Sequence, residues 1–270
     1  MKIGIVGAGG KMGRLLTKYF LSKGHQVYLY NRNIKVIDEW REKNRIQIVS
    51  DLNQLGQSEV IMIAIPIRYT AEIILKLSKI VKKGTIIAEI SSIKSPVIEV
   101  LKKLKKTGIV PISLHPLFGP NIQELSKERI AIVKVLDLKK EEGLTRKIFP
   151  EAKLFTTNLH EHDKMMAYSL VLPYIISLSF GLITLTEIDQ NKLQKFAGPT
   201  CNMQIDILKK LMKGGTELLS SIVELNPYTN EIIESLKNNI HEIEHSLTEE
   251  DGSIAKICLN LNKELFEEKK

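Results

Sequence analysis

An apolar run, Lys2-Ile-Gly-Ile-Val6, passes directly into Gly7-Ala-Gly-Gly-Lys-Met-Gly13, and helical spacing begins at Met12 and continues to Leu21. No other feature restricts the fold as much. A buried strand that feeds a helix through a glycine turn brings backbone amides close to whatever lies at the helix N-terminus, and a pyrophosphate suits that position. The spacing reads as Gly7-x-x-Gly10-x-x-Gly13, or as Gly7-x-Gly9 with a late Gly13, slightly off the common G-x-G-x-x-G pattern. Gly7, Ala8, Gly9, Gly10, Lys11, Met12 and Gly13 are therefore candidate dinucleotide-binding residues.

The chain continues as that turn demands. Strand-like runs KIGIV, QVYLY, VIMIAI, TIIAEI, IVPISL, IAIVKV and KLF alternate with stretches of helical spacing such as Met12 to Leu21 and Tyr69 to Leu77. Continuous apolar strands alternating with helices predict an α/β, Rossmann-type, mostly parallel sheet covered on both faces. From Glu161 to Phe266 only helical patterns remain, with Ile232, Ile233, Leu236, Ile240, Ile243 and Leu247 on one face behind an Asn226-Pro227 start. Charge shifts at the same place. Through Thr157 there are 28 Lys and Arg against 14 Asp and Glu; from Asn158 onward there are 11 against 17, and no arginine follows Arg146. The expected organisation is a dinucleotide-binding domain over 1–157 and an all-helical substrate and dimerisation domain over 158–270.

Composition excludes several function classes. The lysine pairs at 82–83, 102–103, 105–106 and 139–140 fall at predicted helix ends, where they favour helix C-termini, and no aromatic residues interleave with them as a nucleic-acid surface would require. The opening residues do not resemble a signal peptide, and no window reads as a membrane span. A cytoplasmic protein with no membrane or nucleic-acid partner is expected. Cys201 and Cys258 have no CxxC or His companion and read as buried small hydrophobes, with no disulfide or metal role.

Several strand ends carry chemistry. QVYLY ends in Asn31-Arg32, where a carboxylate would select the ribose hydroxyls of NAD and repel a 2′-phosphate, so this site is expected to prefer NADP to NAD. Ile65-Pro66 and Ser91-Ser92 end two later strands on the same sheet edge, which makes Ile65, Pro66 and Ser91 candidate cofactor-binding residues and places Ser91, Ser92 and His115 in one crevice. ISLHPLFGP sets His115 at a strand end, with Pro116 biasing it to an extended backbone and Gly119-Pro120 closing the turn. The ring is held in place, as a general base requires.

In order along the chain, IVGAGGKMGRLL, AIPI, ISSIK, LHPLFGP, EHDKMMAYSLVLPY and AGPT…LLSSIVELNP resemble the prephenate dehydrogenase family of tyrosine biosynthesis, and they cover nearly its whole length. LHPLFGP is the most specific of these segments. The resemblance implies a nucleotide-binding domain joined to a helical domain that forms a homodimer, with His115 the catalytic histidine and Ser92 its assistant. It also implies the reaction, in which prephenate loses hydride to a nicotinamide cofactor and carbon dioxide to become 4-hydroxyphenylpyruvate. His162-Asp163 matches the family's EHD segment and is expected to organise the domain junction. Both predicted domains consume the chain, so no regulatory or chorismate mutase segment is expected.

Two positions depart from the family. Tyr174 stands in Leu-Pro-Tyr where the family usually has Leu-Pro-His, and Lys210 stands where it has a carboxylate-clamping arginine. An ammonium is a point charge and a guanidinium a planar fork, so Lys210, Tyr174 and Arg68 are the candidate substrate-binding residues. Arogenate, or another substrate of an NADP-dependent oxidoreductase of this fold, remains an alternative, as does a non-catalytic NADP-binding regulator. A different reaction class is represented by His241-Glu-Ile-Glu-His245, which satisfies the zinc-protease pattern with Glu264 as a third ligand. Its place on the polar flank of an acidic helix argues against it, and no metal is expected.

Overall fold

The computed structural model describes residues 1–248 and 253–266. Eight strands form one sheet: β1 (Lys2–Val6), β2 (Gln26–Tyr30), β3 (Ile46–Val49), β4 (Val60–Ile63), β5 (Ile86–Glu89), β6 (Val110–Pro116), β7 (Arg129–Val133) and β8 (Lys153–Thr157), in the spatial order β3-β2-β1-β4-β5-β6-β7-β8. Every neighbouring pair is parallel except β6 and β7. The order reverses between β1 and β4, and that switch point is where a doubly wound sheet opens a crevice for ligand. β3 has no counterpart among the strands expected from the sequence. It is a four-residue edge strand with one buried side chain, Val49, too short and too exposed to show a clear period.

Helices α1 (Lys11–Ser22), α2 (Ile67–Leu77), α3 (Ser95–Lys103) and α4 (Leu138–Ile148) connect the strands. Alternate strand residues supply two cores. Ile3, Ile5, Val27, Leu29, Met62, Ile112 and Leu114 pack on one face with Leu16 and Phe20 of α1, and Val6, Tyr28, Ile61, Ile63 and Ile87 pack on the other with Ile74, Leu77, Val97 and Leu101. Each such side chain contributes roughly 1.5–3 kcal/mol on burial, which is why the strands read as continuous apolar runs. Lys102 and Lys103 close α3 as expected, but Lys139 and Lys140 fall in the first turn of α4, where Asp137 caps the helix by accepting from the Lys140 amide.

The sheet ends at Thr157, and Asn158 caps α5 (Leu159–Met166) by accepting from the Glu161 amide. A π-helical turn, Ala167–Val171, joins α5 to α6 (Leu172–Thr186), and α7 (Gln190–Phe196), α8 (Pro199–Gly214) and α9 (Thr216–Leu225) follow. The helical run from Leu159 to Thr186 is long and apolar enough to cross a membrane by length and composition, a property the sequence reading did not credit to any window. Only 22% of its most apolar window is buried; within the run His162 and Asp163 are buried against α3, and Gly181 lies against Leu208 of α8 closely enough that a Cβ would come within 2.8 Å.

By compactness the chain divides at Pro227, so that the sheet and the helices through α9 form one unit and Tyr228–Lys270 the other. In the second unit α10 (Thr229–Thr248) and α11 (Ser253–Phe266) are amphipathic, and Ile240, Ile243, Leu247, Leu259, Leu261 and Leu265 are exposed.

Candidate active site

The glycine turn is built by close contact. Gly7 has φ +85°, and a Cβ there would lie 2.4 Å from the Ala64 carbonyl oxygen; at Gly13 it would lie 2.1 Å from that of Gly7. The end of β4 therefore abuts the turn, with Ile65 beside Gly7 and Pro66 capping α2. Gly10 precedes α1 with no side-chain cap, and no acidic residue occupies the first turn. The first amides of α1 point out at the sheet's switch point, an arrangement that fits a pyrophosphate. Asn31 accepts from the Gly9 amide at 3.2 Å and donates to Asn33, so it braces the loop, while Arg32 is exposed at the end of β2. The Lys11 ammonium donates to the Lys213 carbonyl at the end of α8.

Further along the same sheet edge, His115 is the penultimate residue of β6 and is 5% exposed. Its Nδ1 lies 2.9 Å from Nε2 of His162, whose Nδ1 lies 2.8 Å from Oδ1 of Asp163. Asp163 also accepts from the Lys94 amide, the Ser95 amide and the Ser95 hydroxyl. Burial alone would raise this carboxyl, but the bonds from His162, Ser95 and the two amides outweigh it and hold it below its ordinary value.

Under His115 lies a fully buried ion pair. Lys94 Nζ is 2.8 Å from Glu89 Oε1 and donates to the Leu114 carbonyl, while Ser113 Oγ donates to the same Glu89 oxygen and the Ser91 amide to the other. Burial pushes Lys94 down, against the opposing pull of Glu89. His115 is pushed well below the ordinary imidazole value, first by burial and then by the Lys94 ammonium and His162. It is a neutral imidazole at physiological pH. His162 is lowered too, chiefly by burial, with the Asp163 hydrogen bond opposing.

His115 opens onto a cleft of about 910 Å3 walled by β6, β7, β8, α5, the π-helical turn, α6 and α9. Ser92, His115 and Tyr174 all border it, so the structure brings these three expected residues together. Burial raises the Tyr174 phenol. Ser91 does not border this cleft, contrary to the expectation that it shares one with Ser92 and His115: the chain bends at Ser92, and the Ser91 hydroxyl is buried by Thr70. Lys210 is exposed on α8 and Arg68 pairs with Glu224 of α9; neither borders the cleft. The one Lys or Arg among the described residues that does is Arg129, at the start of β7.

Three contributors were missed in the sequence: Arg129, the contact of His162 with His115, and the Glu89–Lys94 pair. Arg129 reads only as the first residue of a strand, and its relation to His115 depends on a strand register that no local signal carries. The π-helical turn, which puts Tyr168, Ser169 and Leu170 on the cleft wall, likewise has no sequence signature. His241 and His245 lie on α10, where His241 engages Glu244, and no group of three or more His, Cys, Asp or Glu among the described residues could hold a metal ion. Cys201 and Cys258 are free thiols, but neither is buried as expected: Cys201 is half-buried and Cys258 exposed on the amphipathic α11.

A doubly wound sheet with an uncapped glycine-turn helix, and a buried histidine on the same edge facing a helical wall, is the arrangement of a two-domain nucleotide-binding oxidoreductase. The chain belongs to the prephenate dehydrogenase family: the nucleotide-binding domain of that family matches residues 16–130 and its dimerization domain residues 158–260. A probable arogenate/prephenate dehydrogenase of Methanocaldococcus jannaschii is 24% identical over 266 residues, covering 93% of this chain and 58% of that protein. The T-protein of Haemophilus influenzae is 26% identical over 245 residues, covering 89% and 60%. The chain thus spans about three fifths of the length of these curated relatives. Among solved structures, prephenate dehydrogenase from A. aeolicus in complex with hydroxyphenyl propionate and NAD+ superposes with a TM-score of 0.79 at 17% identity, covering 99% of this chain and 98% of that one. Synechocystis arogenate dehydrogenase gives 0.76 at 18% identity, covering 98% of each.

Proposed function

We propose that this chain oxidises prephenate to 4-hydroxyphenylpyruvate with loss of carbon dioxide, as a step of tyrosine biosynthesis. The observation that carries the reading is the neutral, buried His115, which lines one cleft with Ser92 on the sheet edge that holds the nucleotide turn. When bound, a nicotinamide dinucleotide supplies the hydride acceptor. His115 takes the proton of the ring hydroxyl as hydride leaves the same carbon, and Ser92 hydrogen-bonds that oxygen. Arg129 holds a substrate carboxylate, and Tyr174 adds a hydrogen bond from the opposite wall. Phe155, Met165 and Ile222 give the ring an apolar surround.

The cofactor reading is NADP, supported by the absence of a carboxylate at the end of β2 and by the exposed Arg32. A probable prephenate dehydrogenase of Schizosaccharomyces pombe is described as NADP(+)-linked, whereas the A. aeolicus structure holds NAD+. A domain division at 157, a homodimer through the helical region and a cytoplasmic location complete the reading; the exposed apolar side chains of α6, α10 and α11 support the dimer. A second substrate has one observation in its favour. Glu161 also borders the cleft, and a carboxylate there suits the side-chain ammonium of arogenate. Turnover of prephenate and arogenate, each with NAD and with NADP, tests all four combinations. Activity with none of them overturns the reading.

A further inference from the structure

Behind His115 stands a buried hydrogen-bonded row. Asp163, a carboxylate, only accepts, so His162 carries its proton on Nδ1 and leaves Nε2 as a lone pair. His115 Nδ1 lies 2.9 Å from that lone pair and donates to it. The remaining lone pair of His115 is on Nε2, which no described residue engages. We infer that His162 is a positioning residue for His115, fixing Nε2 as the basic nitrogen and sharing the proton that arrives there; the second half rests on the dehydrogenase reading above.

The step balances. As the substrate O–H bond breaks, an N–H bond forms at His115 Nε2, and the Nδ1 proton crosses one hydrogen bond to His162 Nε2. The O–H electron pair becomes a carbonyl bond while the C–H pair leaves as hydride to oxidised nicotinamide. Loss of carbon dioxide then returns an electron pair through the ring to that oxygen, which recovers the proton along the same row. The positive charge meanwhile lies on His162 against the Asp163 carboxylate, and not on His115 beside the Lys94 ammonium. The charged groups around the pair are Lys94 and Glu89 from β5 and the segment after it, Asp163 of α5, and Arg129 and Glu161 on the cleft wall. Burial and Lys94 both lower His115, so a cation confined there is costly, and the second imidazole offsets that cost.

Two measurements on the intact protein test this. Nitrogen-15 NMR of histidine-labelled wild type near pH 8 should show His115 and His162 both as Nδ1–H tautomers, assigned by His115→Asn and His162→Gln. His162→Gln keeps an acceptor for His115 but cannot take the proton. Its kcat for prephenate should fall at least ~10-fold with KM nearly unchanged, and the acid limb of its kcat profile should move to lower pH, because one proton shared by two neutral imidazoles is bound more tightly than by His115 alone; His162 lowers His115 only when it already carries charge itself. A merely structural role would lower kcat and leave the limb in place. An Nε2–H tautomer at His115, or an unmoved limb in His162→Gln, overturns the inference. If wild type turns over neither prephenate nor arogenate while both Nδ1–H tautomers are seen, the function falls and the tautomer assignment stands.

Discussion

His115 of β6 and Arg129 of β7 face the same cleft from neighbouring antiparallel strands, with Ala131, two residues from Arg129, directly opposite His115. Two residues along a strand return to the same face about 7 Å away. A base and a cation held at that spacing suit a ring that carries its hydroxyl at one end and its carboxylate at the other. Arg129→Ala should raise KM for prephenate at least ~10-fold with a smaller change in kcat, since the contact is made in ground and transition states alike. Steady-state kinetics beside Lys210→Ala decide the matter. A raised KM in the lysine variant alone would mean that α8 supplies the carboxylate partner.

His115→Asn should retain nucleotide affinity and lose ~10²–10⁴ in kcat, the usual contribution of a positioned base. Near-normal turnover would remove His115 from the chemistry.

Stability should rise with pH across the window just below 6.5. His115 and His162 are both lowered in the folded chain, so the unfolded chain binds more protons there and the folded state is favoured as those protons leave. The limit is about 1.4 kcal/mol per pH unit for each group. Denaturant melts between pH 5 and 8 check this, and replacing both histidines by glutamine should flatten the slope.

Arg32→Ala should weaken NADP far more than NAD, by the ~1.5–3 kcal/mol of a charge-assisted hydrogen bond. Fluorescence titration of both nucleotides reads it directly. A wild type that prefers NAD would remove the premise.

Gly13→Ala drives a methyl into the Gly7 carbonyl, so α1 must shift from the turn. We expect a loss of ~1–3 kcal/mol in stability, as for other overpacked sites, with weaker nucleotide binding. An unchanged Tm and Kd would show that the turn has slack.

Much of this fold is legible in the sequence because its signals are local. A parallel strand buried on both faces must be apolar throughout, a glycine turn must precede α1 because no Cβ fits at Gly7 or Gly13, and the end of the sheet at Thr157 coincides with the loss of strand periodicity and the reversal of charge. Ser92, His115 and Tyr174 line one cleft and each stands in a short segment at the end or start of an element, Tyr174 being singled out only through the family resemblance.

What tertiary structure alone decided concerns partners distant in the chain. Lys94 reads as one lysine among many until its burial with Glu89 sets a charge near His115, which adds to the lowering that burial of the ring produces first. His162 is 47 residues from His115, and only the packing of α5 over the sheet edge brings their nitrogens to 2.9 Å. Arg129 gains its place on the cleft from the β6–β7 register, whereas Lys210 on α8 and Arg68 on α2 do not border it. Periodicity and motif spacing report which face a residue takes within its own element. They carry no information about which two faces meet, and the electrostatics of this site depend on that.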